Sequence, residues 1–188
     1  MRVHVCFQDI DASFETIPGL FSPSAPDRGT MAMLSVSELE PGKRVLDLGC
    51  GWGMVGVLAA KICGPENVAM CDIDPAAVHT AEKNALANGA EGVRLYVSDG
   101  LSGVDETGFD CILSNPPYQS DFSVAKSFIE KGFNRLKIGG KFFMVTKRRE
   151  WYKNKFISIF GGVRIHEIDG YYVFEAQKRQ QRYASSRA

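Results

Sequence analysis

Apolar residues follow two rhythms along this chain. Short alternating or continuous runs mark strands, and apolar positions recurring every three or four residues mark amphipathic helices. Val3–Phe7 and Phe14–Ile17 predict two strands, the second ended by Pro18-Gly19. A proline- and serine-rich loop then runs to Asp27 and carries Leu20 and Phe21. An aromatic residue in such a loop reads either as a plug at the core's edge or as a wall over a substrate pocket. Met31, Leu34 and Leu39 outline an amphipathic stretch, stopped by Pro41-Gly42.

From residue 44 the two rhythms alternate. Strands are predicted at 44–48, 67–71, 93–97, 109–113 and 141–146, and helices at 54–63, 75–88, 121–136 and 149–160. Pro75 at the first helical turn and Asn88-Gly89 at the end bound the second helix. The third places Phe122, Ala125, Phe128, Ile129 and Phe133 on one face. Two last runs, 163–168 and 171–176, flank the hairpin signal Asp169-Gly170. This alternation implies an α/β fold: a seven-stranded, mostly parallel sheet with helices on both faces and an antiparallel C-terminal hairpin at one edge. A short N-terminal β/loop element precedes it. Residues 1–40 read as a substrate-side element, 41–177 as a cofactor-binding core, and 178–188 as a basic tail that frays.

The 188 residues suit one domain. Lysine plus arginine equals aspartate plus glutamate, 22 of each, so bulk charge draws no nucleic acid and only a local basic patch can. The five cysteines form no Cys-x-x-Cys pair. Buried thiols in a reduced, cytoplasmic protein are expected. His4, His79 and His166 have no partner three or four residues away, so no metal site is expected. No apolar run approaches the length of about twenty residues needed to span a membrane, and no signal-peptide pattern opens the chain.

In an open sheet of this kind, ligands bind at the carboxyl ends of the strands. The notable polar residues fall there: Asp47 to Gly53, Asp72, Asp99, and Asn115 to Tyr118. Gly51-x-Gly53-x-x-Gly56, with Asp72 following, fits the dinucleotide fingerprint, which by itself suggests NAD. Asp47 argues otherwise. A carboxylate at the mouth of the loop repels a pyrophosphate and suits a ligand with a cationic amine. Asp74, before Pro75, reads as a helix cap. Asn115-Pro116-Pro117-Tyr118 fixes a rigid corner without backbone N–H groups at the prolines, so it presents acceptors. Asn115 Oδ1 and the Pro116 carbonyl suit the two hydrogens of an amino group, and Tyr118 offers a face for a flat substrate.

The stretch Val45-Leu46-Asp47-Leu48-Gly49-Cys50-Gly51-Trp52-Gly53 resembles the first motif of the class I S-adenosylmethionine-dependent methyltransferases, whose sheet is Rossmann-like. The resemblance implies that Asp47, Gly49, Cys50, Gly51 and Gly53 hold the methionine part of that cofactor. It implies that Asp72 and Ile73 meet the ribose, and that Asp99 and Gly100 meet the adenine, with Leu101 beside the ring. Asn115-Pro116-Pro117-Tyr118 resembles the motif of amino methyltransferases, making Asn115, Pro116 and Tyr118 catalytic, with Asn115 also facing the cofactor. Phe14 to Ser22, Asp27-Arg28-Gly29-Thr30, Lys147 and Tyr172-Val173-Phe174 resemble the "small" methyltransferase domain of ribosomal RNA guanine-N2 methyltransferases. Thr30 is then near the cofactor, and Phe21, Pro117, Tyr118 and Lys147 border the target base. Larger members of that group carry an N-terminal domain with no counterpart in these residues.

The implied partner is small-subunit ribosomal RNA, and the implied reaction is methylation of guanine N2. Lys147-Arg148-Arg149, with Lys153, Lys155 and the tail residues Lys178, Arg179, Arg182 and Arg187, supplies the expected basic surface. Methylation of a protein glutamine or a DNA adenine is the alternative, and a non-catalytic cofactor-binding scaffold in RNA processing is a third reading.

Overall fold

The computed structural model describes residues 1–117 and 122–186. Strands β1 (Arg2–Phe7) and β2 (Ile10–Glu15) form an antiparallel hairpin with Phe7 opposite Ile10. The second strand therefore begins four residues before the expected Phe14 and ends at Glu15. Its inward positions Ala12 and Phe14 alternate with Asp11 and Ser13. The period of two was present, but a small alanine carried half of it.

The main sheet comprises β3 (Val45–Leu48), β4 (Val68–Asp72), β5 (Arg94–Val97), β6 (Phe109–Ser114), β7 (Leu136–Thr146), β8 (Arg164–Ile168) and β9 (Tyr171–Gln177). Their order is β5-β4-β3-β6-β7-β9-β8. Strands β3 to β7 run parallel, and β9 runs antiparallel to both β7 and β8. The antiparallel strand is thus internal, and β8 forms the edge. The chain reverses its direction of winding between β3 and β6, which sets the switch point there.

Alternate strand residues feed two cores. Val45, Cys111, Leu113, Phe143, Val145 and Val173 face one side, while Leu46, Leu48, Ile112, Phe142, Met144 and Phe174 face the other. Helices α1 (Arg28–Val36), α2 (Met54–Cys63) and α3 (Pro75–Ala87) cover the first side, and α4 (Phe122–Arg135) and α5 (Glu150–Phe160) the second. Helix α2 is apolar almost all round because it is buried almost all round. The sheet lies on one side of it, and the β1–β2 hairpin packs nearby through Phe14, whose ring meets Trp52 edge-on at 5.1 Å.

Asn84 of α3 and Asn88, the residue that caps its C-terminus, hold that hairpin. Asn84 Oδ1 accepts from Glu15 N–H (2.7 Å) and Asn84 Nδ2 donates to Glu15 C=O (2.8 Å). One turn on, Asn88 does the same with Ser13, at 3.2 and 2.9 Å. The two amides imitate a neighbouring strand and satisfy the open edge of β2.

Strand β7 starts at Leu136, five residues before the expected Lys141. Gly139 and Gly140 form a break in its register against β6 and are not the turn before it. A Cβ at Gly140 would sit 2.7 Å from the Phe109 carbonyl, so only glycine passes there. The start of the expected fraying tail is packed. Lys178 is 4 % exposed, and its ammonium donates to the Leu136 carbonyl at 2.8 Å. Tyr183 stacks edge-on against Phe133 at 5.2 Å and donates its hydroxyl to the Glu130 carbonyl. Among the described residues no helix is long and apolar enough to cross a membrane.

Candidate active site

A cavity of about 350 Å³ opens at the switch point, over the carboxyl ends of β3, β4, β5 and β6. That volume is in the range of small-molecule sites. The β1–β2 side of the molecule contributes Phe21 and Asp27, α1 contributes Thr30, and α4 contributes Val124 and Phe128.

The turn after β3 needs glycine for three different reasons. Gly49, Gly51 and Gly53 take positive φ angles of 80°, 53° and 87°. Nothing lies within 4 Å of where a Cβ would stand at Gly51, so that backbone is open. At Gly53 a Cβ would lie 2.8 Å from the Ala81 Cβ, so this glycine lets α2 and α3 approach. Gly53 is absent from the cavity wall, in contrast to its expected place against the cofactor. Gly56, inside α2, faces Met70 at a distance that no Cβ permits. The dinucleotide-like spacing thus arises here from one open position and two packing contacts.

Backbone and carboxylates hold this turn. The N–H groups of Gly49 and Cys50 both donate to the Cys71 carbonyl at 2.9 Å. Asp72 Oδ2 accepts from Gly51 N–H at 2.9 Å, and its Oδ1 accepts from Asp74 N–H at 3.0 Å. Asp47 Oδ2 accepts from Gly56 N–H at 2.8 Å, tying β3 to the first turn of α2. Asp47 is 2 % exposed, and burial pushes its carboxyl up to about 7; the Gly56 hydrogen bond pulls the other way and the nearby Asp72 charge adds to the rise. Burial likewise pushes the Cys50 thiol well above its usual range. Asp74 caps α3, accepting from Ala76 N–H, as expected.

The corner after β6 is held by side chains from far along the chain. Asn115 Nδ2 donates to Asp27 Oδ1 and to Thr30 Oγ1, both at 2.8 Å. Asp27 Oδ1 also caps α1, accepting from Thr30 N–H at 2.8 Å and from Thr30 Oγ1 at 3.1 Å. Asp27 Oδ1 accepts every hydrogen bond it makes here, so it is the amide nitrogen of Asn115 that faces it. Asn115 Oδ1 is left buried with no hydrogen-bond partner among the described residues. A buried unpaired acceptor costs about 1–3 kcal/mol. Its place at a cavity wall is consistent with a donor arriving from outside.

Of the residues expected at the site, Phe21, Thr30, Asp47, Gly49, Cys50, Gly51, Asp72, Ile73, Asp99, Gly100, Asn115, Pro116 and Pro117 all line the cavity. Tyr118 lies outside the described residues. Lys147 is absent from the wall; its ammonium sits over the Tyr171 ring, 4.9 Å from the centroid. Sequence spacing gave no hint that Asp27 reaches Asn115, which is 88 residues away. Nor did it show that the Trp52 indole donates to the Phe21 carbonyl at 3.0 Å, fastening the aromatic loop to the glycine turn.

The charge balance of the wall is one-sided. Five aspartates line it (Asp27, Asp47, Asp72, Asp74 and Asp99), and no lysine, arginine or histidine does among the described residues. A pyrophosphate here would face carboxylates with no cation to balance it.

The expected basic surface is only partly free. Arg149 pairs with Glu150, Lys155 with Glu130, and Lys178 is buried. Arg148 lies over the Phe122 ring, 5.2 Å from its centroid, and Phe122 stacks on Trp151 at 4.3 Å.

Comparison with known proteins agrees with this geometry. The family model of the methyltransferase small domain matches residues 11–175. Ribosomal RNA small subunit methyltransferase C of Hahella chejuensis is 37 % identical over 155 residues, covering 80 % of this chain and 44 % of its own. YbxB of Bacillus subtilis, an uncharacterized protein, is 31 % identical over 89 % of this chain and 87 % of its own. The Thermus thermophilus 16S rRNA methyltransferase RsmC, solved with AdoMet and guanosine, superposes with a TM-score of 0.88 at 27 % identity, over 95 % of this chain and 50 % of its own. The chain thus spans about half the length of these ribosomal RNA methyltransferases and most of the length of YbxB. By sequence and by fold, the chain belongs to the methyltransferase small domain family.

Proposed function

We propose that this protein transfers a methyl group from S-adenosylmethionine to an exocyclic amino nitrogen, that of guanine N2 in small-subunit ribosomal RNA. The observation that carries the reading is the Asn115 amide. Its nitrogen is committed to Asp27 and Thr30, and its oxygen is a buried acceptor at the cavity wall without a partner among the described residues.

The cavity's chemistry fits S-adenosylmethionine. Asp47 is a buried carboxylate for a cationic amine, Asp72 and Asp99 accept from hydroxyl and amino groups, and no cation waits for a phosphate. When bound, this cofactor supplies an electrophilic methyl on a sulfonium. The protein's part is positioning. Asn115 Oδ1 and the Pro116 carbonyl accept the two hydrogens of the incoming amino group. An amino group on a base donates its lone pair into the ring, which makes it a poor nucleophile. Two acceptors favour a pyramidal nitrogen whose lone pair turns toward the methyl. As the nitrogen–carbon bond forms and the sulfur–carbon bond breaks, the nitrogen gains positive charge. The same two acceptors stabilise it until one proton leaves to solvent. No strong base is required, and among the described residues none lines the cavity apart from the carboxylates.

The acceptor corner fits any amino group, so the choice of guanine N2 rests on the likeness to the ribosomal RNA methyltransferases, including the structure holding AdoMet and guanosine. Phe21, 51 % exposed at the cavity rim, and the stacked Phe122–Trp151 pair under Arg148 offer surfaces for an extruded base and its neighbours. Incubation with labelled S-adenosylmethionine and separated RNA, DNA and protein fractions tests this. Label in RNA supports it, and label confined to DNA or protein overturns the substrate.

A further inference from the structure

The N-terminal hairpin carries a second constellation, apart from the cavity. His4 and Cys6 are alternate residues of β1, so they share its solvent face while Val3, Val5 and Phe7 point inward. Cys6 stands opposite Asp11 of β2, and His4 opposite Ser13. His4 Nε2 lies 2.7 Å from Asp11 Oδ1, and Cys6 Sγ lies 3.2 Å from the same oxygen. The nitrogen, sulfur and oxygen all fall within 4.8 Å of one another. On its other side, His4 Nδ1 lies 3.1 Å from Ser13 Oγ. A metal-binding histidine usually has its second ring nitrogen held in this way, which fixes the ring and the tautomer.

We propose that this face binds one Zn²⁺ per chain through His4 Nε2, Cys6 Sγ and Asp11 Oδ1, with water in the fourth position. The donor set decides the metal. Thiolate and imidazole suit zinc, whereas magnesium and calcium take all-oxygen sites. Tetrahedral ligands at normal zinc distances stand about 3.3–3.5 Å apart. The two close contacts open to that spacing by small rotations of exposed side chains. The Cys6 thiol loses its proton to solvent as the zinc–sulfur bond forms. None of the three ligands lines the cavity, so the site lies apart from it. Bound zinc would tie β1 to β2 beside the Gln8-Asp9 turn. Histidine spacing along the sequence does not expose such a site. The helical intervals of three and four do not apply on a strand, where the same face recurs every second residue and the third ligand comes from across the hairpin.

Cobalt provides the test, because a thiolate on Co²⁺ gives a near-ultraviolet charge-transfer band. Cys6 is the exposed cysteine, while Cys50, Cys63, Cys71 and Cys111 are buried, so the band reports this site in the folded chain. Titrating the reduced, metal-free protein with Co²⁺ should saturate the band at one equivalent, and Zn²⁺ should displace it. Cys6→Ser should abolish the band, His4→Ala should weaken binding at least ~10-fold, and Ser13→Ala should weaken it about 10-fold through the ring it orients. All of these positions are solvent-facing, and circular dichroism checks that each variant folds. Absence of the band in the parent protein, or its survival in Cys6→Ser, would overturn the proposal.

Discussion

The two halves of the cavity are built in opposite ways. The glycine turn after β3 is held by its own neighbourhood: backbone bonds to Cys71, the Asp47 carboxylate of β3 and the Asp72 carboxylate that ends β4. The corner after β6 is held by Asp27 and Thr30, which belong to the far N-terminal part of the chain. One half is assembled by local geometry, the other by a long-range contact. The first should therefore fail by losing cofactor or stability, and the second chiefly by losing turnover with the cofactor still bound.

The sharpest break between them is Asn115→Ala. It removes the unpaired acceptor, and loss of one such preorganised group costs about 10²–10³ in kcat. Affinity for S-adenosylmethionine, measured by calorimetry, should stay within a few-fold. Next is Asp27→Ala, which frees the Asn115 amide to turn and removes the cap of α1. Turnover should fall about 10-fold, by 1.4 kcal/mol of transition-state stabilisation, with cofactor affinity nearly unchanged. Loss of the cap should cost about 1 kcal/mol of stability, read in a thermal melt.

The cofactor half should instead respond to pH. With its carboxyl at about 7, Asp47 is mostly protonated at pH 6 and mostly ionised at pH 8. A cationic ligand favours the ionised form, so affinity should rise about 10-fold between those two values, and Asp47→Asn should flatten the profile. The sign for stability is opposite. The folded chain keeps this proton up to about 7, while the unfolded chain releases it near 3.8, so the empty protein loses stability as pH rises between them. Within the cofactor half, stability and binding separate two glycines. Gly53→Ala meets both a positive φ and the Ala81 contact, and should lose about 2–4 kcal/mol in chemical denaturation. Gly51→Ala meets only the φ penalty of about 1–2 kcal/mol, and shows mainly as weaker cofactor binding.

The same division explains what could be read in the sequence. Strands and helices from residue 44 onward follow hydrophobic period, which is local, and the sheet follows from their alternation. The cavity residues fell at strand ends for the same reason. Asp27 could not be assigned to Asn115, because nothing in sequence spacing brings positions 88 residues apart together. A motif does not say which glycine is open, as Gly51 is, and which lies packed, as Gly53 does against Ala81. The strand reaches back past Gly139-Gly140 to Leu136, across a register break where a Cβ at Gly140 would meet the Phe109 carbonyl. Lys178, read as part of a basic tail, is buried because the Leu136 carbonyl takes its ammonium.

The central claim is that the acceptor corner presents its unpaired oxygen to the amino group of a guanine. Its most direct measurement is incubation of the purified protein with labelled S-adenosylmethionine and small-subunit ribosomal RNA, followed by digestion to nucleosides and mass spectrometry. The account predicts label in N2-methylguanosine, formed about 10²–10³ times more slowly when Asn115 is alanine. Label on a different atom, or undiminished label in the Asn115→Ala protein, would contradict it.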